Sequence, residues 1–205
     1  MKRLLLISIG VILIAWLALT LLAERTGPAQ SSSFGSADAS SQALFTYNPD
    51  LFYNLDEQLC ASMAEQLATM GWKAEVKTIA AAPTDVGAYD LVVFVANTYN
   101  WAPDWPTSRL IGTMDLSGKS TAAIMLGSGS TARAQRLLEE KLEDSGAEVL
   151  AVRSLWLMRP NDEERIEEGN VSIALDIAEE WIKGLADPQS EPVEAVSAAT
   201  DTGEW

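Results

Sequence analysis

An α/β domain is predicted, with a five-stranded parallel sheet held between two layers of helices and one membrane-spanning helix in front of it. Three observations predict it. Leu91, Val92, Val93, Phe94 and Val95 form an unbroken apolar run rich in β-branched residues, the pattern of a strand buried on both faces of a helix-covered parallel sheet. Strand-like and helix-like segments alternate over residues 43–185, at the spacing that βαβ units require. Leu4 to Ala23 is a stretch of 20 residues without a charge, long enough to cross a bilayer as a helix.

Lys2 and Arg3 precede that stretch, whereas Glu24 and Arg25 behind it cancel. By the positive-inside rule the N-terminus stays cytoplasmic and the domain lies outside the cytoplasm. A secretory signal peptide is the competing reading, but its apolar core runs to only about 7–15 residues and its cleavage site needs small side chains. Leu21 stands where a small residue should precede Ala23. An uncleaved single-pass anchor in the cell membrane is therefore expected over residues 1–25. Thr26 to Gln42, rich in Ser, Gly and Ala, reads as a flexible linker that cannot bury enough surface to fold.

Ala43 to Tyr47 is a short strand closed by Asn48-Pro49-Asp50. From Asp56 to Met70, Leu59, Met63, Ala64 and Leu67 recur at helical spacing, and Gly71 stops the helix. Asp56 and Glu57 lie in its first turn, where acids suit the helix dipole. Ala74 to Ile79 alternates as a strand near a sheet edge, Pro83 to Gly87 turns, and the central strand follows. Asn97 to Pro106 then forms a polar and aromatic loop containing Trp101 and Trp105. In an open α/β sheet a ligand sits outside the carboxyl ends of the strands, where this loop falls. The plainer alternative is that both Trp side chains cover the sheet end as core.

Thr107 to Met114 is read as a short helix, Asp115 to Lys119 as a turn, and Ser120 to Leu126 as a further buried strand. Gly127 to Thr131 leads into a helix over Ala132 to Ser145, and Ala147 to Val152 is the last strand. Arg153 to Asn161 reads as irregular, Asp162 to Leu185 as a long helix, and residues 186–205 as a disordered acidic tail. No repeat and no second domain are evident.

Net charge is −15, with −11 carried by residues 43–183 and −5 by the segment from Gly184 onward. Such a surface repels nucleic acid, and no basic stripe offsets it. There is no His, which removes Ser-His-Asp and Cys-His nucleophiles and His-ligated metal sites. The lone Cys60 excludes an internal disulfide and thiolate-held iron–sulfur clusters. It falls on the first helix of the domain, where a free Cys packs as a small hydrophobe. No metal is expected, and any redox chemistry must come from an organic cofactor.

Three pieces of sequence, TYNPDLFYNLDEQLCASMAEQL, YDLVVFVANTY and DLSGKSTAAIMLGSGSTARAQRLLEEKLEDSGAEVL, resemble the flavodoxin family. Asp115 to Lys119 matches that family's D-L-x-G-K linker, and Asn97-Thr98-Tyr99 its motif after the third strand. The resemblance implies a flavodoxin-like three-layer sandwich with strand order 2-1-3-4-5. It also implies flavin mononucleotide, FMN, enclosed by three loops, and a redox protein as partner. Asn48, Tyr53, Asn54 and Leu55 would then lie at the phosphate, with Tyr53-Asn54-Leu55 standing where the family has Gly-Asn-Thr. Tyr99, Trp101 and Trp105 would stack on the flavin ring, Thr98 and Asn100 would border it, and Ser128 and Gly129 would form the opposite wall.

The first loop departs from the family pattern. No Ser or Thr remains in it, Pro49 removes an N–H, and Asp50 and Asp56 add negative charge beside a dianion's place. Three readings follow: a membrane-tethered FMN-binding electron carrier, a binding or scaffolding module that keeps the fold without the flavin, and a flavin-dependent quinone reductase. For the last, no GxGxxG follows a strand to mark a hydride-donor site.

Overall fold

The computed structural model describes residues 2–51 and 53–187, so the expected acidic tail lies outside the described residues from 188 onward. In chain order the elements are α1 (Lys2–Ala23), β1 (Ser31–Phe34), β2 (Gln42–Tyr47), α2 (Leu55–Thr69), β3 (Lys73–Thr78), β4 (Leu91–Tyr99), β5 (Ala102–Pro103), α3 (Trp105–Ile111), β6 (Ser120–Gly127), α4 (Ala132–Asp144), β7 (Glu148–Trp156) and α5 (Asn170–Ala186). Helix α1 is long and apolar enough to cross a membrane, and none of its residues is buried.

The sheet runs β1-β3-β2-β4-β6-β7, with β5 paired only to β4. Strands β3, β2, β4, β6 and β7 are mutually parallel. Numbered among themselves they stand in the order 2-1-3-4-5, as expected. Strand β4 explains why the order is legible. Its Leu91, Val93 and Val95 enter one core with Phe45, Leu59, Met63, Ile124, Trp181 and Ile182, under α2 and α5. Its Val92, Phe94 and Ala96 enter the other with Leu44, Met125, Ile111, Leu138 and Leu142, under α3 and α4. From Leu91 to Ala96 both faces of the strand are dry, so every position there must be apolar.

Four expectations are corrected. The segment expected as a flexible linker contains β1, which pairs antiparallel to β3 from Ser31↔Lys77 to Phe34↔Ala74. Strand pairing needs only backbone N–H and C=O groups, which a Ser-rich stretch supplies, and the open edge of β3 offers partners. Gly35 turns the chain at φ +81°, with Trp72 O so close that a Cβ would stand 2.1 Å from it. The last strand continues past Val152 to Trp156, because Arg153 to Trp156 stay paired with Ile124 to Gly127 of β6, and the Ser154 hydroxyl among them is satisfied by accepting from Thr131 and donating to Gln135.

The long helix expected from Asp162 begins at Asn170. Gly169 at φ +85° breaks the chain there, and the Asn170 amide bonds the carbonyls of Trp156, Leu157 and Arg159 instead. Finally, the aromatic loop is a hairpin. Strand β4 runs on to Tyr99, and Asn100 and Trp101 at φ 51° and 59° turn it into β5. Two successive positive φ values are the geometry of a tight hairpin turn matched to sheet twist.

Candidate functional site

The carboxyl ends of the parallel strands carry the loop after β2, the β4–β5 hairpin and the loop after β6. Pairing of Tyr47 with Val95 and of Asn97 with Leu126 brings all three to one edge of the sheet. The Trp101 turn and the Ser128 turn therefore lie at the same end, as the sequence predicts.

A buried polar cluster joins the first two loops, and Asn97 is its hub. The Asn97 Nδ2 donates to Asn48 O at 3.2 Å and to Asp56 Oδ2 at 3.1 Å. Its backbone N–H donates to Asp104 Oδ2 at 3.0 Å, and its carbonyl accepts from Asp104 N at 2.8 Å. Asp56 also accepts from the backbone N–H groups of Asp50 at 2.9 Å and Glu57 at 2.8 Å. Asp104 caps α3, accepting from Thr107 N and Thr107 Oγ1 at 2.9 Å each. Burial pushes the carboxyls of Asp56 and Asp104 up from 3.8 to about 6 each, against the pull of the N–H groups they accept from. Tyr99 donates its hydroxyl to Asp50 Oδ2. Burial, then the Asp50 carboxylate, hold that phenol well above its ordinary pKa.

Residues 24–30 form a strap across this end. Gly27 N donates to Asn48 Oδ1, and Asn48 Nδ2 donates to Arg25 O, both at 3.0 Å. Gly27 lies so close to Pro49 that a Cβ would stand 2.8 Å from Pro49 Cδ. Further along, Thr78 Oγ1 accepts from Gln30 N at 2.9 Å and donates to Pro28 O at 2.8 Å. At the α1 end of the strap, Trp105 N donates to Glu24 Oε2 at 2.6 Å. Glu24 is buried, and its carboxyl is raised by that burial, opposed by the Trp105 N–H and by Arg109.

The expected site residues separate in this frame. Asn48 is buried and its side chain is engaged by the strap, while the Leu55 side chain is in the α2–α5 core, away from any ligand surface. Tyr53 is exposed, and Asn54 precedes α2 with its Oδ1 accepting from Gln58 Nε2 at 2.7 Å. Asn100 and Trp101 form the hairpin tip, with Trp101 63% exposed. Ser128 is exposed and its carbonyl accepts from Met158 N and Arg159 N, and Gly129 stands in open space.

Thr98 meets the third loop at its base. A Cβ on Gly127 would lie 3.3 Å from Thr98 Oγ1, an atom that is buried and has no partner among the described residues. A cavity of about 310 Å³ lies elsewhere, lined by Gln30, Ser31, Tyr47, Glu57 and Val76 between the strap and α2. Among the described residues no group of three or more His, Cys, Asp or Glu is placed to hold a metal.

Sequence reasoning missed the strap, the hub role of Asn97 and the Glu24–Trp105 bond. One signal was present: Glu24 directly follows the apolar run, with only Arg25 and Thr26 before Gly27 and Pro28.

No protein-family model and no curated protein matches the chain. Solved structures do match. Flavodoxin 1 from Bacillus cereus superposes at TM-score 0.51 and 20% identity, over 70% of this chain and 98% of that one. The Megasphaera elsdenii flavodoxin matches at 0.52 and 13%, over 67% and 98%. Rubredoxin oxygen:oxidoreductase from Desulfovibrio gigas matches at 0.52 and 13%, over 73% of this chain but 38% of that one. At such identities the likeness speaks for the fold, and it agrees with the strand order and the three layers: this chain has a flavodoxin-like fold.

Proposed function

We propose that the chain is a membrane-tethered, flavodoxin-like binding module whose contact surface is the aromatic carboxyl end of the sheet, and which works without FMN. One observation carries this reading: the place of the cofactor phosphate is met by the protein's own groups. A phosphate at a helix N-terminus is held by free N–H donors and the helix dipole. Here the N–H groups of Asp50 and Glu57 already donate to Asp56. The Tyr53 N–H donates to Asp50 Oδ1 at 3.2 Å, and the Asn48 amide is spent on the strap. A dianion there would stand beside two carboxylates in a partly dry site, where like charges repel by several kcal/mol. These residues do not fit the phosphate end of FMN.

Helix α1 supplies the tether, and Lys2 and Arg3 orient it with the domain outside the cytoplasm. The strap joins that tether to the domain without a flexible spacer, because the residues directly after α1 are hydrogen-bonded parts of the domain.

A second reading is favoured by the buried, unpartnered Thr98 Oγ1 beside Gly127. In it a flavin ring alone is taken up between the Trp101 hairpin and the Ser128 turn, and the protein passes electrons to a redox partner. When bound, a flavin supplies one- and two-electron chemistry. On this chain Trp101 would stack on the ring and Thr98 would hydrogen-bond its polar edge.

Titrating the full-length chain with FMN and with riboflavin, read by flavin fluorescence, separates the readings. Neither ligand is expected to be quenched. Equal quenching of both would replace the first reading with the second. FMN binding more tightly than riboflavin would show a working phosphate site and overturn both.

A further inference from the structure

Among the described residues, eight large apolar or aromatic side chains outside α1 are exposed. Their distribution is one-sided. Leu51 and Tyr53 follow β2, Trp101 and Trp105 flank β5, and Met158 follows β7. Ile166 and Val171 lie between β7 and the first turn of α5. All seven are at the carboxyl ends of the parallel strands. Leu150, within β7, is the exception.

The anchor reaches the domain at that same end. The helical hydrogen bonding of α1 carries through to Glu24, whose N–H donates to Thr20 O at 2.9 Å. The Glu24 carboxylate accepts from Trp105 N at 2.6 Å, and Asn48 clamps Arg25 and Gly27 within the next three residues. No free tether separates the last apolar turn of α1 from the domain. A bilayer spanned by α1 therefore borders the face that carries Leu51, Tyr53, Trp101 and Trp105.

We infer that this face docks into the headgroup–acyl boundary of the membrane that α1 spans, with Trp101 and Trp105 as its interfacial anchors. The inference rests on the reading of α1 as a membrane span and names what the contact surface of the proposed function touches. Trp and Tyr gather at membrane–water interfaces because their rings are apolar and their N–H or O–H stays hydrated. Attachment through α1 holds the face beside the lipid at high effective concentration, so a shallow insertion suffices.

Charge selects the lipid. Asp162, Glu163, Glu164, Glu167 and Glu168 lie in the segment between β7 and α5, at the same end, with Arg159 and Arg165 as the cations among them. An acidic rim is repelled by anionic headgroups. The docked surface is thus a zwitterionic one, held by apolar contact.

The test uses the full-length chain in phosphatidylcholine vesicles with plain or brominated acyl chains, which quench Trp emission at the depth of the bromine. Emission of Trp101 and Trp105 is obtained as the difference between the protein and its Trp101→Phe/Trp105→Phe variant. Emission of Trp16, within α1, is obtained likewise from Trp16→Phe, and circular dichroism checks that the variants fold. Brominated lipid is expected to remove emission from both sets, with the Trp101/Trp105 loss reduced when half of the lipid is phosphatidylglycerol. If Trp16 is quenched while Trp101 and Trp105 respond only to aqueous acrylamide, the span stands and the docking is overturned. If Trp16 also escapes the bromine, the anchor reading fails and takes the docking with it. Loss of acrylamide access without bromine quenching would assign the face to a protein contact and overturn the lipid one.

Discussion

At the scale of single residues, the carboxyl end is governed by carboxyl groups taken out of water. Asp56 and Asp104 each accept three hydrogen bonds, yet burial still raises both to about 6. The folded state thus holds protons at these sites that the unfolded chain releases near 3.8. Stability must fall as pH rises from about 4 to about 6 and stay level above. Each carboxyl can contribute up to roughly 3 kcal/mol, since one pKa unit is worth about 1.4 kcal/mol. Glu75 acts oppositely: Lys73 and Lys77 hold it down at about 2, so its contribution is lost only as pH falls below 4.5. Urea denaturation is expected to show maximal stability at about pH 4. In Asp104→Asn one of the two declines should vanish. The variant is also less stable throughout, because its amide nitrogen must face the N–H group of either Asn97 or Thr107, donor against donor. An unchanged pH profile in Asp104→Asn would contradict the assignment. None of this was legible in the sequence, where Asp104 is one polar residue among several: its burial is created by α3 and the strap.

Among elements, legibility followed the physics each one depends on. Strands β2, β4 and β6 and helices α2 and α4 are set by apolar periodicity, and their limits in the structure fall within a few residues of those expected. Strand β1 is set by the free edge of β3, a property of another segment, so SSSF alone does not announce it. The β4–β5 hairpin was hidden because its turn is Asn100-Trp101 where Asn-Gly is usual. Holding a non-Gly residue in the left-handed region costs roughly 1–2 kcal/mol. Trp101 stands there at φ 59° with its side chain 63% exposed, so local stability does not explain its presence. Trp101→Gly is accordingly expected to leave the melting temperature unchanged or to raise it. A fall of several degrees would mean that the indole packs on the protein, and would leave it unavailable for either lipid or flavin.

For the whole molecule, the strap makes α1 and the domain one structure, and deleting it is the sharpest test of that unity. Removal of residues 2–35 takes away the Glu24–Trp105 bond, both bonds of the Asn48 amide, the two bonds of Thr78 Oγ1 and the β1 ladder. Each hydrogen bond is worth about 0.5–1.5 kcal/mol net, and a buried amide left unsatisfied costs about 1–3 kcal/mol. Against a typical total of about 5–15 kcal/mol, the shortened domain should be markedly less stable while keeping its parallel sheet. Hydrogen exchange locates the loss: amides of Val76 to Thr78 and Trp105 should exchange faster, and those of Val92 to Val95 should keep their protection relative to global unfolding. A chain cut after Ala23, which retains Glu24, should match the full protein at every one of these amides. The same deletion separates two accounts of the missing phosphate site. Were the strap the only obstacle, the shortened domain would take up FMN. Asp50 and Asp56 remain in place without it, along with the N–H groups they occupy, so FMN fluorescence should stay unquenched.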